Sequence, residues 1–271
     1  MHNGSIEERP ATRLEVELGL GQDRTALVVL LIVFPFVCWA WIVEMARDMY
    51  GPMTGASAWM MTLTWDARHM FLLWAMWAVM MAGMMLPSAS PMLLLYGAAA
   101  RRRKGIDARS VSAAHQIYAL AAGYVAVWAL FSVGATGAQR VLSLALLVSP
   151  MMTLTSPLAA ALMLVAAGAY QLTPMKHACL QACRSPLAFM MHHWRPGAWG
   201  AFRMGIDHGI HCLGCCWALM LVLFVGGVMN LAVIAALTVF VAFEKLGPFG
   251  LAGARISGAL LIAAAVWMLV R

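Results

Sequence analysis

Charged side chains are scarce in this chain: Asp, Glu, Lys and Arg make up 11% of its 271 residues, whereas 63% of the residues are hydrophobic. A soluble globular domain carries about 25% charged residues, so this chain has too little polar surface for a soluble globule of its length. The long apolar runs instead predict an integral membrane protein, with the lipid bilayer as its main partner.

Several motifs of enzymes and binding modules are also absent. The chain contains no P-loop, no dinucleotide fingerprint and no hydrolase triad signature, which argues against an enzyme. It contains no nucleic-acid-binding module, and positive residues in cytoplasmic loops explain the net charge of +7. The six cysteines fall in membrane and cytoplasmic segments, so we expect reduced or metal-bound thiols rather than a disulfide framework.

The hydrophobic pattern divides the chain into a polar, cytoplasmic tail, residues 1–24, and a single transmembrane domain, residues 25–271. The predicted spans are 25–43, 70–96, 115–135, 157–172, 205–228, 231–243 and 256–270, and the last is barely long enough to cross a bilayer. Residues 141–147 are too short to cross and are expected to be interfacial or re-entrant. The predicted fold class is an all-α, polytopic membrane helix bundle of six to seven transmembrane helices.

The first loop, residues 44–69, is unusually rich in methionine for a protein surface. It contains Met45, Met49, Met53, Met60 and Met61. Either this loop lies in the membrane interface with Trp59 and Trp65, or its thioethers collect a soft cation.

The stretch Gly205–Met220 concentrates metal-ligating residues inside an apolar run. These residues are His208, His211, Cys212, Cys215 and Cys216. At 3.6 residues per turn the first four fall within about 100° of the helix circumference, and the fifth lies at the edge of the same face. Polar and ionisable groups within a span are costly and usually mark function, so this face predicts a metal site. The alternative is that the cysteines only pack and the histidines bond to neighbouring helices.

The second predicted span carries a cluster of methionines. Its candidate ligands are Met80, Met81, Met84 and Met85. A rise of 1.5 Å per residue places them at about the same depth as the Cys/His face. Thioether and thiolate ligands favour Cu(I), whereas a set of two cysteines and two histidines also suits zinc. The methionines therefore favour copper as the bound ion.

Two further cysteines, Cys179 and Cys183, lie in the predicted loop before the fifth span, with His177 and His192 nearby. Because they are four residues apart, they share a face if this piece is helical. A second, receiving metal site and thiols without a ligand both remain open. The depth count also places Glu244 near the Cys/His face, where it orients a ligand imidazole or forms a salt bridge to Lys245 or Arg203.

Three segments resemble those of a bacterial family described as predicted metal-binding integral membrane proteins. They read MWAVMMAGMMLPSASPM, YQLTPMKHACLQACRSP and GIHCLGCCWALMLVLFVGGVMN, and the similarity covers residues 70–246. The resemblance implies that the family's motif positions are occupied by Met80, Met81, Met84, Met85, Pro87, Cys179, Cys183, His208, Cys212, Cys215 and Cys216. It also implies a location in the bacterial inner membrane.

Three functions follow from these patterns. The first is a membrane protein that binds Cu(I) and passes it from the methionine-rich loop, through the second and fifth spans, to the cytoplasmic cysteines. The second is a thiol-disulfide oxidoreductase that uses the Cys212-x-x-Cys215 motif, which normally needs a soluble redox fold. The third is a non-catalytic scaffold. Besides lipid and the metal ion, the expected partners are a metallochaperone or a second copy of the chain.

The positions of Lys and Arg predict the orientation of the chain. Fourteen of the eighteen fall in segments assigned to the cytoplasm, with the N-terminus inside and the C-terminus outside. Residues 97–114 and 173–204 are therefore expected to be cytoplasmic, and residues 44–69 to face the opposite side. A membrane-impermeant thiol reagent should label Cys179 and Cys183 only after cells are permeabilised. Labelling in intact cells would show that the orientation is inverted.

Overall fold

The computed structural model describes residues 23–51, 55, 66–104, 113–149 and 152–270. Within these ranges the regular elements are helices, apart from one isolated antiparallel bridge between Val148 and Leu154. The predicted all-α class is thus confirmed. Most of the N-terminal tail, together with Met53, Met60, Met61, Trp59 and Trp65 of the first loop, lies outside the described residues.

The helices in chain order are α1 (Asp23–Tyr50), α2 (Ala67–Met85), α3 (Ser90–Lys104), α4 (Ala113–Leu144), α5 (Pro157–Gln171), α6 (Pro174–Arg184), α7 (Pro186–His193), α8 (Gly197–Gly226), α9 (Leu231–Leu246) and α10 (Gly250–Val270). A π-helical turn, Val29–Val33, lies within α1, and a 3₁₀ turn, Pro87–Ala89, joins α2 to α3. The most extensive helix contacts in the described part join α4 to α8 and α5 to α10.

Five helical segments among the described residues are long and apolar enough to cross a membrane. They are Asp23–Tyr50, Ala67–Arg102, Ala113–Leu144, Gly197–Gly226 and Gly250–Val270. Helices α5 and α6 together form a sixth candidate, bent by 62° between them, which is either a broken span or a re-entrant loop. The structure thus has five candidate spans, or six if α5 and α6 together form one span, so only the lower of the two predicted numbers can be reached. Helix α9, predicted as a span at residues 231–243, has just 16 residues and is not among the candidates.

The predicted loop at residues 173–197 is wrong, because it contains two short helices. Both begin at a proline, which is favoured in the first turn of a helix because its missing N–H would have no helical partner there. Thr173 caps α6, with its Oγ1 accepting a hydrogen bond from Lys176 N at 3.2 Å. Apolar periodicity does not reveal such short helices, whereas the Thr-Pro and Ser-Pro pairs do.

Several other predicted helices are shorter than the helices of the structure. Helix α1 continues to Tyr50, and α2 begins at Ala67, where Asp66 Oδ1 accepts a hydrogen bond from His69 N at 2.7 Å. The predicted separate piece at residues 141–147 is wrong, because α4 runs without a break to Leu144. The last span begins at Gly250 and has 21 residues, so it is long enough to cross. In each case polar or small residues extend the helix beyond its apolar segment.

Glycines bring the backbones of α4 and α8 into contact. A Cβ atom at Gly123 would overlap the carbonyl oxygen of Phe202, and one at Gly205 would overlap that of Leu120. Membrane helices associate largely through such close packing, since lipid removes most of the hydrophobic drive between them. The contact holds the cysteine face of α8 against the middle of α4.

Gly123→Ala should destabilise the bundle, because the added methyl group meets a backbone atom that moves only if α4 and α8 separate. We expect a loss of about 1–3 kcal/mol in the free energy of unfolding. Gly134→Ala is the matched control in the same helix, because nothing lies within 4 Å of its Cβ position. Denaturant unfolding in detergent micelles measures both variants, and equal stability would contradict the close helix contact.

Candidate metal centre

Cys212 lies on the buried face of α8, where two polar groups from other helices reach its sulfur. Lys245 Nζ of α9 is 2.8 Å from Cys212 Sγ, and Tyr124 Oη of α4 is 2.9 Å from it. All three side chains are buried. A buried ammonium needs a compensating negative charge, and among the contacts of Lys245 the sulfur of Cys212 is the group that can carry one.

Two more thiols of α8 adjoin Cys212. Cys215 Sγ lies 3.1 Å from Cys216 Sγ and donates a hydrogen bond to the carbonyl oxygen of Cys212 at 3.1 Å. Cys183 Sγ of α6 is 4.0 Å from Cys215 Sγ. These cysteines are free thiols, so the structure brings together the predicted cysteine ligands of α8 and one of the two from the preceding segment.

Helix α6 places its two cysteines on the side that faces α8. A Cβ atom at Gly214 would lie 2.7 Å from Cys179 Sγ, which shows how closely that thiol approaches α8. Cys179 and Cys183 are half-buried, whereas the α8 thiols are fully buried. The α6 thiols therefore adjoin the α8 cluster on its less buried side, and the predicted second, receiving site stays a prediction. His192 does not join them, since it is exposed and its Nδ1 contacts Ala188 O.

The predicted methionine ligands belong to the same buried core as the α8 cysteines. Met80, Met81, Met84 and Met85 are each at most 1% exposed. The carbonyl oxygen of Met85 accepts hydrogen bonds from Tyr124 Oη at 2.9 Å and from Ser88 Oγ at 2.7 Å. Because Tyr124 Oη also contacts Cys212 Sγ, the predicted equal depth of the two segments is confirmed.

The two histidines of α8 have different surroundings. His208 is 5% exposed, its ring packs against Tyr124 and Phe189, and its buried Nδ1 has no hydrogen-bond partner among the described residues. His211 is half-buried and its Nδ1 contacts the carbonyl oxygen of Asp207 at 2.8 Å. Both rings pack against Phe189 of α7, and His208 differs in having a buried ring nitrogen without a hydrogen-bond partner among the described residues, so it remains the candidate ligand beside the thiols.

The two predicted roles of Glu244 are both wrong. Its carboxylate forms an ion pair with Lys176 Nζ at 2.7 Å, and it also accepts a hydrogen bond from Gln171 Nε2 at 3.2 Å. It therefore neither orients an imidazole nor pairs with Lys245 or Arg203. The next residue, Lys245, lies about 100° further around α9 and reaches Cys212.

The amino-acid sequence does not mark Lys245 or Tyr124 as part of the site. Lys245 follows an apolar run and is easily interpreted as an orientation signal at a membrane surface. The available signal is the depth count, which places residues 244 and 245 at the level of Cys212 when both are measured from the turn between α8 and α9. Tyr124 carries no such signal, because one tyrosine in a span is common.

Across the described ranges, no group of three or more His, Cys, Asp or Glu side chains is arranged to hold a metal ion. The arrangement instead places the thiol of Cys212 beside the amino group of Lys245, with neighbouring thiols and with methionines in the same buried core. These are soft sulfur ligands, and a site with few of them suits a soft ion of low coordination number.

Comparison with known proteins supports a role in copper handling. A family model described as copper chaperone, PpoB2, matches residues 74–268. No match to the chain was found among curated proteins or among solved structures. The matched region covers well over half of the chain and includes every residue of the thiol cluster, as well as Tyr124 and Lys245. The chain therefore belongs to the PpoB2 copper chaperone family.

Proposed function

We propose that this protein binds Cu(I) within the membrane through the Cys212 thiolate and a second thiolate from Cys216 or Cys215. The observation that carries the proposal is the 2.8 Å contact between Lys245 Nζ and Cys212 Sγ inside a group of buried thiols. Thiolate and thioether ligands favour Cu(I) over zinc, and the family match independently concerns copper. His208 and the methionines of α2 supply weaker neighbouring contacts.

The same geometry supports transfer of the ion rather than permanent storage. Cys183 Sγ lies 4.0 Å from Cys215 Sγ, close to the separation of two thiolates that share one ion, since metal–sulfur bonds are about 2.3 Å long. The ion therefore passes from the buried α8 thiols to the half-buried thiols of α6 by ligand exchange. A soluble metallochaperone or another copper protein receives it at that surface.

A second candidate function is thiol-disulfide exchange across α6 and α8. The observation that favours it is also the 4.0 Å approach of Cys183 and Cys215, which come from different helices. Thiol titration beside metal analysis of the purified protein separates the two candidates. Bound copper with reduced thiols supports the first, and a disulfide without copper supports the second.

Replacing Cys212 and Cys215 together by Ser should abolish tight Cu(I) binding, because it removes the compensated thiolate and one neighbouring thiol. Met84→Leu should weaken binding only modestly, because a thioether is a weaker ligand. Competition with a Cu(I) chelator under reducing conditions measures all variants. Cys38→Ser is the matched control, since Cys38 is equally buried but packs against Gly83 on the α1–α2 contact. Wild-type copper stoichiometry in the double variant would refute the proposal.

Cys183→Ser should leave Cu(I) affinity nearly unchanged but slow its release, because the ion loses its first acceptor on α6. We expect release to slow by about tenfold, which corresponds to about 1.4 kcal/mol in the barrier. Stopped-flow transfer of Cu(I) to an excess of a coloured chelator measures the rate. A rate equal to that of Cys38→Ser would show that the ion does not leave through α6.

A further inference from the structure

Lys245 has a buried amino group that contacts a sulfur atom. Its Nζ donates to Cys212 Sγ at 2.8 Å and to Ser88 Oγ at 3.0 Å. The adjacent carboxylate of Glu244 already pairs with Lys176 at 2.7 Å. Among the residues that the structure describes, Lys245 forms no ion pair with a carboxylate. The sulfur of Cys212 is therefore the group available to balance it.

We propose that Lys245 is the specificity-determining residue of this site and selects a monovalent soft cation over a divalent one. This inference rests on the proposed function, because it concerns the ion held by Cys212 and a second thiolate. The charge of Lys245 favours Cu(I) for a reason that is separate from the softness of the sulfur ligands.

The net charge of the site gives the physical reason. Before the ion binds, the Lys245 ammonium and the Cys212 thiolate sum to zero. When a monovalent ion binds, Cys216 or Cys215 releases its proton, and two thiolates, one ammonium and one cation again sum to zero. A divalent ion on the same two thiolates leaves one positive charge buried without compensation, which is strongly unfavourable in an apolar interior.

A third thiolate would neutralise a divalent ion, but the arrangement of ligands argues against this. Zinc in proteins is almost always held by four ligands in tetrahedral geometry. In the part of the chain that the structure covers, no three His, Cys, Asp or Glu side chains are arranged to hold a metal. The proposed site therefore holds the ion between two thiolates with one ammonium beside them.

The position of Lys245 also depends on the break between α2 and α3. Ser88 lies in the 3₁₀ turn at that break, and its Oγ accepts a hydrogen bond from Lys245 while donating one to Met85 O at 2.7 Å. Ser88 thus helps to hold the ammonium beside Cys212 without changing the charge of the site. This makes Ser88→Ala a control for Lys245, because it alters a hydrogen bond and leaves the charge in place.

The test compares Cu(I) with Hg(II), which shares the preference for two thiolates but carries one more charge. Affinities for both ions are measured in detergent by competition with calibrated chelators, for wild type, Lys245→Met and Ser88→Ala. Lys245→Met should lower Cu(I) affinity by about 10–100-fold, the range found when an outer partner of a metal ligand is lost. Its Hg(II) affinity should stay the same or rise, whereas Ser88→Ala should keep the wild-type preference.

The outcomes separate this inference from the proposed function. If the wild type binds no Cu(I), the proposed function fails and the inference fails with it. If the wild type binds Cu(I) and folded Lys245→Met keeps the same preference between the two ions, only the inference is overturned. Lys245→Gln, which keeps a polar group without the charge, replaces Lys245→Met if that variant does not fold. Lys245→Arg, which retains the charge, should retain the preference.

Discussion

A buried ammonium must have a negative partner beside it, and this constraint organises the centre of the bundle. Two lysines are buried near the end of α9, and each contacts a different partner there. Lys176 of α6 forms an ion pair with Glu244, and Lys245 Nζ lies 2.8 Å from Cys212 Sγ of α8. Arg184 adds hydrogen bonds to the carbonyl oxygens of Glu244 and Gly247. These contacts attach α6 and α8 to the same end of α9, which brings their thiols together.

Close backbone packing and a helix break complete the site. The glycine contacts between α4 and α8 bring Tyr124 within reach of Cys212. In the 3₁₀ turn, Ala89 N bonds to Leu86 O, so Met85 O is left for the hydroxyl groups of Tyr124 and Ser88. Neither feature involves a thiol, yet both fix the surroundings of Cys212.

The sequence allows the helical class, the cysteine face of α8 and the depth of the α2 methionines to be predicted, because these follow from composition and from regular helix geometry. It does not reveal which of two adjacent residues faces the site. Glu244 and Lys245 differ by about 100° around α9, and their roles depend on where α6 and α8 pack. His211 shows the same limit, since it shares a face with the cysteines but packs against Phe189 of α7.

Charge compensation by Lys245 also affects the release of an ion from the proposed site at Cys212. An ion held only by thiolates would leave two buried negative charges behind, and this would oppose its departure. In the proposed site, departure of a monovalent ion and return of one proton to the second thiol would restore a neutral pair of Lys245 and Cys212. Both the loaded and the unloaded states are then compensated, and each ion exchanges for one proton. A copper chaperone must bind its ion tightly and still pass it on to another protein. A site that is neutral in both the loaded and the unloaded state would allow ligand exchange with the α6 thiols without burying a net charge.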